Sequence, residues 1–292
     1  KCRTPYIDED VRPDDDDVGL YASSCSSHAH SILFLARVCR PDLSTIVPRI
    51  CRKVTRWTKL DDRRLIRLFS YIKWAGNVEM HSALGPTDEP GIELHIYPDA
   101  DWAGDPDTTK STSGLWIELA STSGRTWSLS YNSRAQGATS SCTAESETVA
   151  FASGFGSDEV YSPELVISMS GASRQEALPL QILFEHFIVE ILPLRFKVDN
   201  NQAISAINKG YSKKLCALTR VHKLSIEHMH EMSVDPDMQI FGEYCNTKGQ
   251  KGDTFTKTLT PALFEDAKRL IGMREIDVNE AIGKPPSTQQ ST

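Results

Sequence analysis

Hydrophobic periodicity switches once along this chain, near residue 91, and that switch limits the fold more than any other feature. Before it, apolar residues recur at helical spacing. After it, short alternating runs of strand length take over. "HSILFLARVC" reads as a short helix closed at Arg40-Pro41. A second helix restarts at Asp42, a good N-cap, and Pro48 is expected to bend it. "DDRRLIRLFSYIKWAG" reads as a third, with Leu65, Leu68, Ile72 and Trp74 near one face and Gly76-Asn77 as its stop. Residues 78–90 read as a connector.

Beyond the switch, "IELHIYP", "SGLWIELAS" and "RTWSLSYNS" are strands, the last two joined by a hairpin turn at Ser123-Gly124. "SCTAESETVAFASGF" has helical character. Residues 154–190 read as two helical pieces around a Gly-Ala-Ser loop. "PLRFKVDNN" is a fourth strand ending at Asp199, and "QAISAINKG" a short helix closed by Gly210. "LTRVHKLSIEHMHEMSV" reads as one longer helix, "MQIFGEYC" as a fifth strand, and "KGDTFTKTLTPALFEDAKRLIGM" as a closing helical segment. This order suits a mixed α/β layer, an antiparallel meander followed by parallel additions.

A chain of 292 residues has room for one large or two ordinary domains. No apolar run reaches the roughly 18 residues of a membrane helix, and the polar, acidic opening is unlike a signal peptide. The first residue is Lys, so a piece of a longer polypeptide is expected. Seven cysteines, odd in number and without a CxxC pair, argue against a disulfide framework or zinc knuckle and for a reducing compartment.

The net charge of −7 is unevenly spread. Residues 1–20 hold seven acids against three bases, and the run Asp14 to Asp17 is expected to be disordered. Residues 36–69 hold ten Arg or Lys against three Asp, and residues 209–223 hold five against none. Two basic patches on an acidic background suit either solvated helix faces or a polyanionic ligand.

The promising acids sit where strands end or helices begin. Asp99 ends the first strand, Glu147 lies in the helix after the third, Asp199 ends the fourth, and Asp253 opens the closing segment. Ligand sites of open α/β sheets gather at the carboxyl ends of strands. Four carboxylates meeting there need a cation, and hard cations take oxygen ligands. Two magnesium ions about 4 Å apart would clamp the attacking and leaving oxygens of a phosphodiester. Asp101 shares the strand with Asp99 and reads as its spectator. Glu145 competes with Glu147, and two residues apart on a helix only one can face the cluster. Ser141 and Thr143 read as capping groups. "DADWAGDPDTTK" fails as a calcium loop, having Ala103 and Lys110 where ligands belong.

At this point the residues resemble a known family. "YPDADWAGDPDTTKSTSG", "SSCTAESETVAFASG", "KVDNNQAISAINKG" and "KGDTFTKTLTPALFEDAKRLIGM" are similar, in order, to the motifs of the ribonuclease H domain in copia-type LTR retrotransposon Pol polyproteins. The likeness spans about 91–274. Residues 22–77 resemble the segment that joins polymerase to ribonuclease H, while the polymerase's Tyr-x-Asp-Asp motif is absent from this sequence. The resemblance implies a ribonuclease H-like five-stranded mixed sheet with flanking helices, preceded by a smaller helical segment. It implies a thumb or connection remnant at 21–90 and the nuclease domain at 91–275. Composition reads the acidic stretch at 1–20 as disordered and the polar, Pro-rich tail at 276–292 as flexible.

By the same resemblance Asp99, Glu147, Asp199 and Asp253 are the catalytic and metal-binding acids. They would hold two Mg2+, with Mn2+ as a substitute. Asp99 would be shared by both ions, Glu147 and Asp199 would serve one, and Asp253 the other. The implied reaction is hydrolysis of the RNA strand of an RNA–DNA hybrid, leaving a 3′-hydroxyl and a 5′-phosphate. Asn200, Gln202, Arg134 and Gln136 are the implied substrate contacts. His222 stands where the family has a His and reads equally as a phosphate contact or as an ordinary partly buried His. The loop before Asp253 lacks a His of the kind that helps release product, and Lys248 or Lys251 is the phosphate contact expected in its place. The basic helices at 49–67 would hold the hybrid's backbone. The implied partners are the hybrid and the upstream polymerase domain, with no membrane. The implied location is a cytoplasmic virus-like particle or the nucleus. Departures from the pattern are the long 154–190 stretch, the enlarged "WSLSYNSRAQ", and Gly252 where the family usually has Ala. Two other readings fit the fold: a degenerate or domesticated module that binds without cleaving, and a resolvase or integrase relative.

Overall fold

The computed structural model describes residues 2–7, 14–88, 91–105, 108–155, 177–188 and 191–276, and two compact units divide them. Ser82–Thr258 forms one, and the described parts of Lys1–His81 and Leu259–Thr292 form the other. The expected helical pieces within 156–176 and the tail from 277 lie outside the described residues.

The first unit is helical. Helices α1 (Cys25–Val38), α2 (Ile46–Cys51) and α3 (Lys59–Trp74) close around Ile32, Leu43, Val47, Ile50, Leu65, Leu68 and Tyr71. Thr58 and Asp61 form a capping box at the start of α3. Asp42 does not cap α2. It is buried, pairing with Arg40 at 2.8 Å and accepting from the Tyr71 hydroxyl at 2.6 Å. Pro48 sits in the first turn of α2, where a missing N–H costs nothing, so it does not break the helix. Ile72 is only partly buried and Trp74 is exposed, and Tyr71 takes the core position instead.

Residues 2–7 and 14–20 differ from the expected disorder. Tyr6 packs edge-on against Phe264, Asp15 pairs with Arg63 at 2.6 Å, and Lys59 bonds Asp14 and Asp17. The carbonyls of Asp17 and Asp15 accept from the Lys59 and Leu60 amides that open α3. The acidic run is neutralised by a helix start and its bases, which local composition does not reveal. Strand β1 (Val78–Met80), in the expected connector, pairs antiparallel with a strand at Met273–Glu275. The expected closing segment is therefore divided: its helix at Pro261–Leu270 and that strand belong to this unit, not to the sheet unit.

The second unit is built on strands β2 (Glu93–Asp101), β3 (Thr112–Ala120), β4 (Thr126–Ala135), β5 (Leu194–Val198) and β6 (Ile240–Tyr244). Their order is β4-β3-β2-β5-β6. The β4-β3 and β3-β2 pairs are antiparallel, and β2-β5 and β5-β6 are parallel. This is the ribonuclease H-like mixed sheet that the resemblance implies. Gly124, at φ 81°, makes the expected hairpin turn between β3 and β4. Helices flank the sheet: α4 (Thr143–Phe155), α5 (Ala177–Ile188), α6 (Asn201–Lys209), α7 (Leu218–His222) and α8 (Ile226–Val234). The single long helix expected at 218–234 is two. Lys223 is left-handed at φ 58°, and Ser225 starts a new helix by accepting from the His228 amide.

Buried Leu94, Ile96, Leu115, Ile117, Leu194, Phe196 and Val198 form the core against α4 and its neighbours. Phe151 of α4 stacks on Phe196 of β5 at 4.4 Å, which fixes the helix over the sheet.

Candidate active site

Strand β2 carries Asp99 to the carboxyl end of the sheet, fully buried. Its parallel neighbour β5 ends one residue before Asp199. A short 3-10 turn, Lys251–Phe255, brings Asp253 to the same place. One carboxylate oxygen from each of Asp99, Asp199 and Asp253 lies within 4.8 Å of the other two. Glu147, on α4, stands beside this triad and feels the charges of Asp99 and Asp199. Glu145 turns away. It accepts from the Ser141 amide and hydroxyl and pairs with His222 at 3.3 Å.

The turn bearing Asp253 is held by close packing and by one buried amide. Gly252 lies against Asp99 and Gly114 against Phe255 and Thr256, so the turn rests directly on β2 and β3. The Gln250 side chain donates to the Pro98 carbonyl of β2 at 3.1 Å and to the Lys197 carbonyl of β5 at 3.0 Å. It also accepts from the Gly252 amide. Phe255 stacks on Trp116 and Tyr131, each at 5.8 Å. Lys251 points under the sheet, where it pairs with buried Glu118 at 2.6 Å and lies over the Tyr97 ring.

Burial first, then neighbouring Asp99 and Asp199, push the Glu147 carboxyl up to about 9. Burial and then Asp99 push Asp253 up to about 6, against the lowering effect of Lys257. Asp199 is raised by the same two causes, burial before Asp99. Two groups the sequence reading left without a role relieve this crowding. Thr256 donates its hydroxyl to Asp99 Oδ2. Lys257 bonds Asp253 Oδ1 and lies 3.3 Å from Asp99 Oδ1. The i, i+4 spacing of Asp253 and Lys257 was the available signal for the lysine; nothing local marked Gln250.

The donor set fits a hard divalent cation. Every candidate ligand is a carboxylate oxygen. Glu147 is 5% exposed, yet its Oε2 is buried without a hydrogen-bond partner. A buried acceptor left unpaired is costly, and a cation is the partner that would satisfy it.

The expected substrate contacts fare differently. Arg134, Gln202 and Lys248 are exposed. Asn200 caps α6, accepting from the Gln202 and Ala203 amides. Gln136 is buried and spends its amide on Ser113 Oγ and the Ser146 carbonyl, joining β3 to α4. The His222 side chain is 3% exposed and held by Glu145. Lys251 is taken up by Glu118 and does not face the cluster. Asp101 folds back over Gly104, whose backbone leaves no room for a Cβ there.

Sheet order and acid triad together define an α/β unit of the ribonuclease H-like class. No protein-family model matches the chain. Among solved structures it is similar to prototype foamy virus protease-reverse transcriptase in its native crystal form, at 11% identity and a TM-score of 0.27. That match covers 66% of this chain, which spans 22% of the length of the other. Among the described residues no helix is long and apolar enough to cross a membrane.

Proposed function

We propose that this chain is a metal-dependent endonuclease that hydrolyses the RNA strand of RNA–DNA hybrids, the ribonuclease H module of a copia-type retroelement polyprotein. The observation that carries the reading is the convergence of Asp99, Asp199 and Asp253 within 4.8 Å, beside the unpaired Oε2 of Glu147. Asp99, Glu147 and Asp199 would hold one Mg2+, and Asp99 with Asp253 a second; Mn2+ would substitute. Such ions activate water and offset charge on the phosphate. The chain's own part is to fix the four acids in place; bound cations would favour their charged forms, which burial and crowding oppose in the metal-free chain. Gln250 and the glycine contacts anchor Asp253, Thr256 anchors Asp99, and the Phe151–Phe196 stack anchors Glu147.

Lys209, Lys213, Lys214, Arg220 and Lys223 are all exposed, on and after α6. They offer the hybrid's phosphates a basic surface on the sheet unit, with affinity that falls as salt rises. Discrimination of RNA from DNA would rest on 2′-hydroxyl contacts and helix shape. The upstream polymerase of the same polyprotein is the proposed partner in holding the hybrid, and the retroelement's cytoplasmic particle or the nucleus the proposed location.

A second reading, hybrid binding without cleavage, draws on Lys257, which already neutralises Asp99 and Asp253. One experiment separates the two. The purified chain is incubated with end-labelled hybrid, with and without MgCl2, beside Asp199→Asn. Magnesium-dependent cleavage of the RNA strand alone, lost in the variant, is expected. Binding without cleavage would select the second reading. Cleavage of duplex DNA in preference to hybrid would point to a resolvase-like activity.

A further inference from the structure

The acid cluster already contains one cation, and it belongs to the chain. Lys257 follows the Asp253 turn, and its ammonium bonds Asp253 Oδ1 and lies 3.3 Å from Asp99 Oδ1. The other oxygen of Asp99 is taken by the Thr256 hydroxyl. Both Asp99 and Asp253 belong to the set whose ligand oxygens lie within 4.8 Å of one another. A Mg2+ binds such oxygens at about 2.0–2.1 Å. An ammonium on the same oxygens would then sit close to a divalent charge, at a distance where like charges in a buried setting repel strongly. The two cations therefore exclude each other at this position. The lysine has a way out: its side chain is 36% exposed, on a flexible four-carbon stem.

We propose that Lys257 is a built-in counter-cation, occupying the oxygens of Asp99 and Asp253 that a divalent ion would take and leaving them when the ion binds. The proposal rests on the metal-site reading above. It accounts for how buried Asp99, half-buried Asp199 and Asp253, and Glu147 pack together without foreign cations. It also sets a threshold: the ion gains its ligands only by displacing a charge-assisted hydrogen bond. The orphan oxygen of Glu147, which Lys257 does not reach by any hydrogen bond, is the ligand left open for the incoming ion.

The test is calorimetric titration of MgCl2 and MnCl2 into the full chain, comparing wild type with Lys257→Met and Lys257→Arg. The Met variant is expected to bind about tenfold more tightly, the equivalent of one charge-assisted hydrogen bond no longer displaced. Its melting temperature should fall below wild type in EDTA and meet it at saturating metal. The Arg variant should stay near wild type. Equal or weaker binding by the Met variant overturns the proposal while leaving the metal site standing. Absence of binding by both proteins overturns the metal site and the proposal together. Should the Met variant not fold, the wild-type chain provides a second measurement. Acetic anhydride labelling, read by mass spectrometry with exposed Lys209 as reference, should modify Lys257 several-fold faster once MnCl2 is added. Unchanged or slower labelling overturns the displacement.

Discussion

A Cβ placed on Gly252 would lie 2.7 Å from the Cβ of Asp99 and 2.8 Å from the Tyr97 carbonyl oxygen. Neither neighbour is the free end of a flexible side chain, so Gly252→Ala must lift the 251–255 turn from the sheet. The expected cost is about 1–3 kcal/mol, as for other overpacked sites, together with weaker Mn2+ binding because Asp253 moves with the turn. Thermal unfolding and a Mn2+ titration measure both. An unchanged melting temperature would mean that the turn does not rest on β2.

Lys251 and Glu118 form an ion pair with side chains only 11% and 2% exposed. Removing one partner leaves a buried charge unpaired, so Lys251→Met should cost about 3–5 kcal/mol. The double variant Lys251→Met/Glu118→Leu should recover much of that loss. Urea unfolding followed by tryptophan fluorescence gives both numbers. A double variant as unstable as the single one would show that the pair is not what holds the turn.

The raised carboxyls predict a falling stability with pH in metal-free protein. Folded Glu147 and Asp253 keep protons that the unfolded chain has already released, so the folded state binds more protons and stability drops as pH rises. The stabilisation is full below the ordinary carboxylate range and is lost as pH passes about 6 for Asp253 and approaches about 9 for Glu147. Burial holds His95 and His222 below their usual range, which acts in the opposite sense under about pH 6.5. The window to read is therefore pH 7 to 9, in EDTA. There wild type should lose melting temperature relative to Glu147→Gln. Parallel curves for the two proteins would exclude a buried, crowded Glu147.

Asn200 acts here as a helix cap. Asn200→Ala should lower stability by about 1 kcal/mol, and Asn200→Ser should restore most of it. Chemical denaturation midpoints decide; a silent Ala variant would show that the Asn200 side chain does not support α6.

Much of the sheet was legible because its signals are local. Alternation marked β2 to β4, Gly124 and Gly210 marked a turn and a helix end, and the acids at the ends of β2 and β5 pointed to a site by their place on strands. Glu147 could be preferred over Glu145 only by likeness; which of two carboxylates on one helix faces the triad depends on how α4 is rotated, and the Phe151–Phe196 stack sets that. The break at Lys223 was hidden because both halves of 218–234 continue one apolar rhythm.

By itself the sequence determined most of the element types, the mixed α/β class and the acids that could share a site. Only the tertiary structure decided the partners. It joined β1 to a strand almost 200 residues later, packed the acidic N-terminal run against the start of α3, and buried Gln136 and Lys251. It also put Lys257 among the carboxylates. Each of these outcomes is a contact between segments distant along the chain. Such a contact is governed by which surfaces meet when the core closes, and no local spacing encodes that.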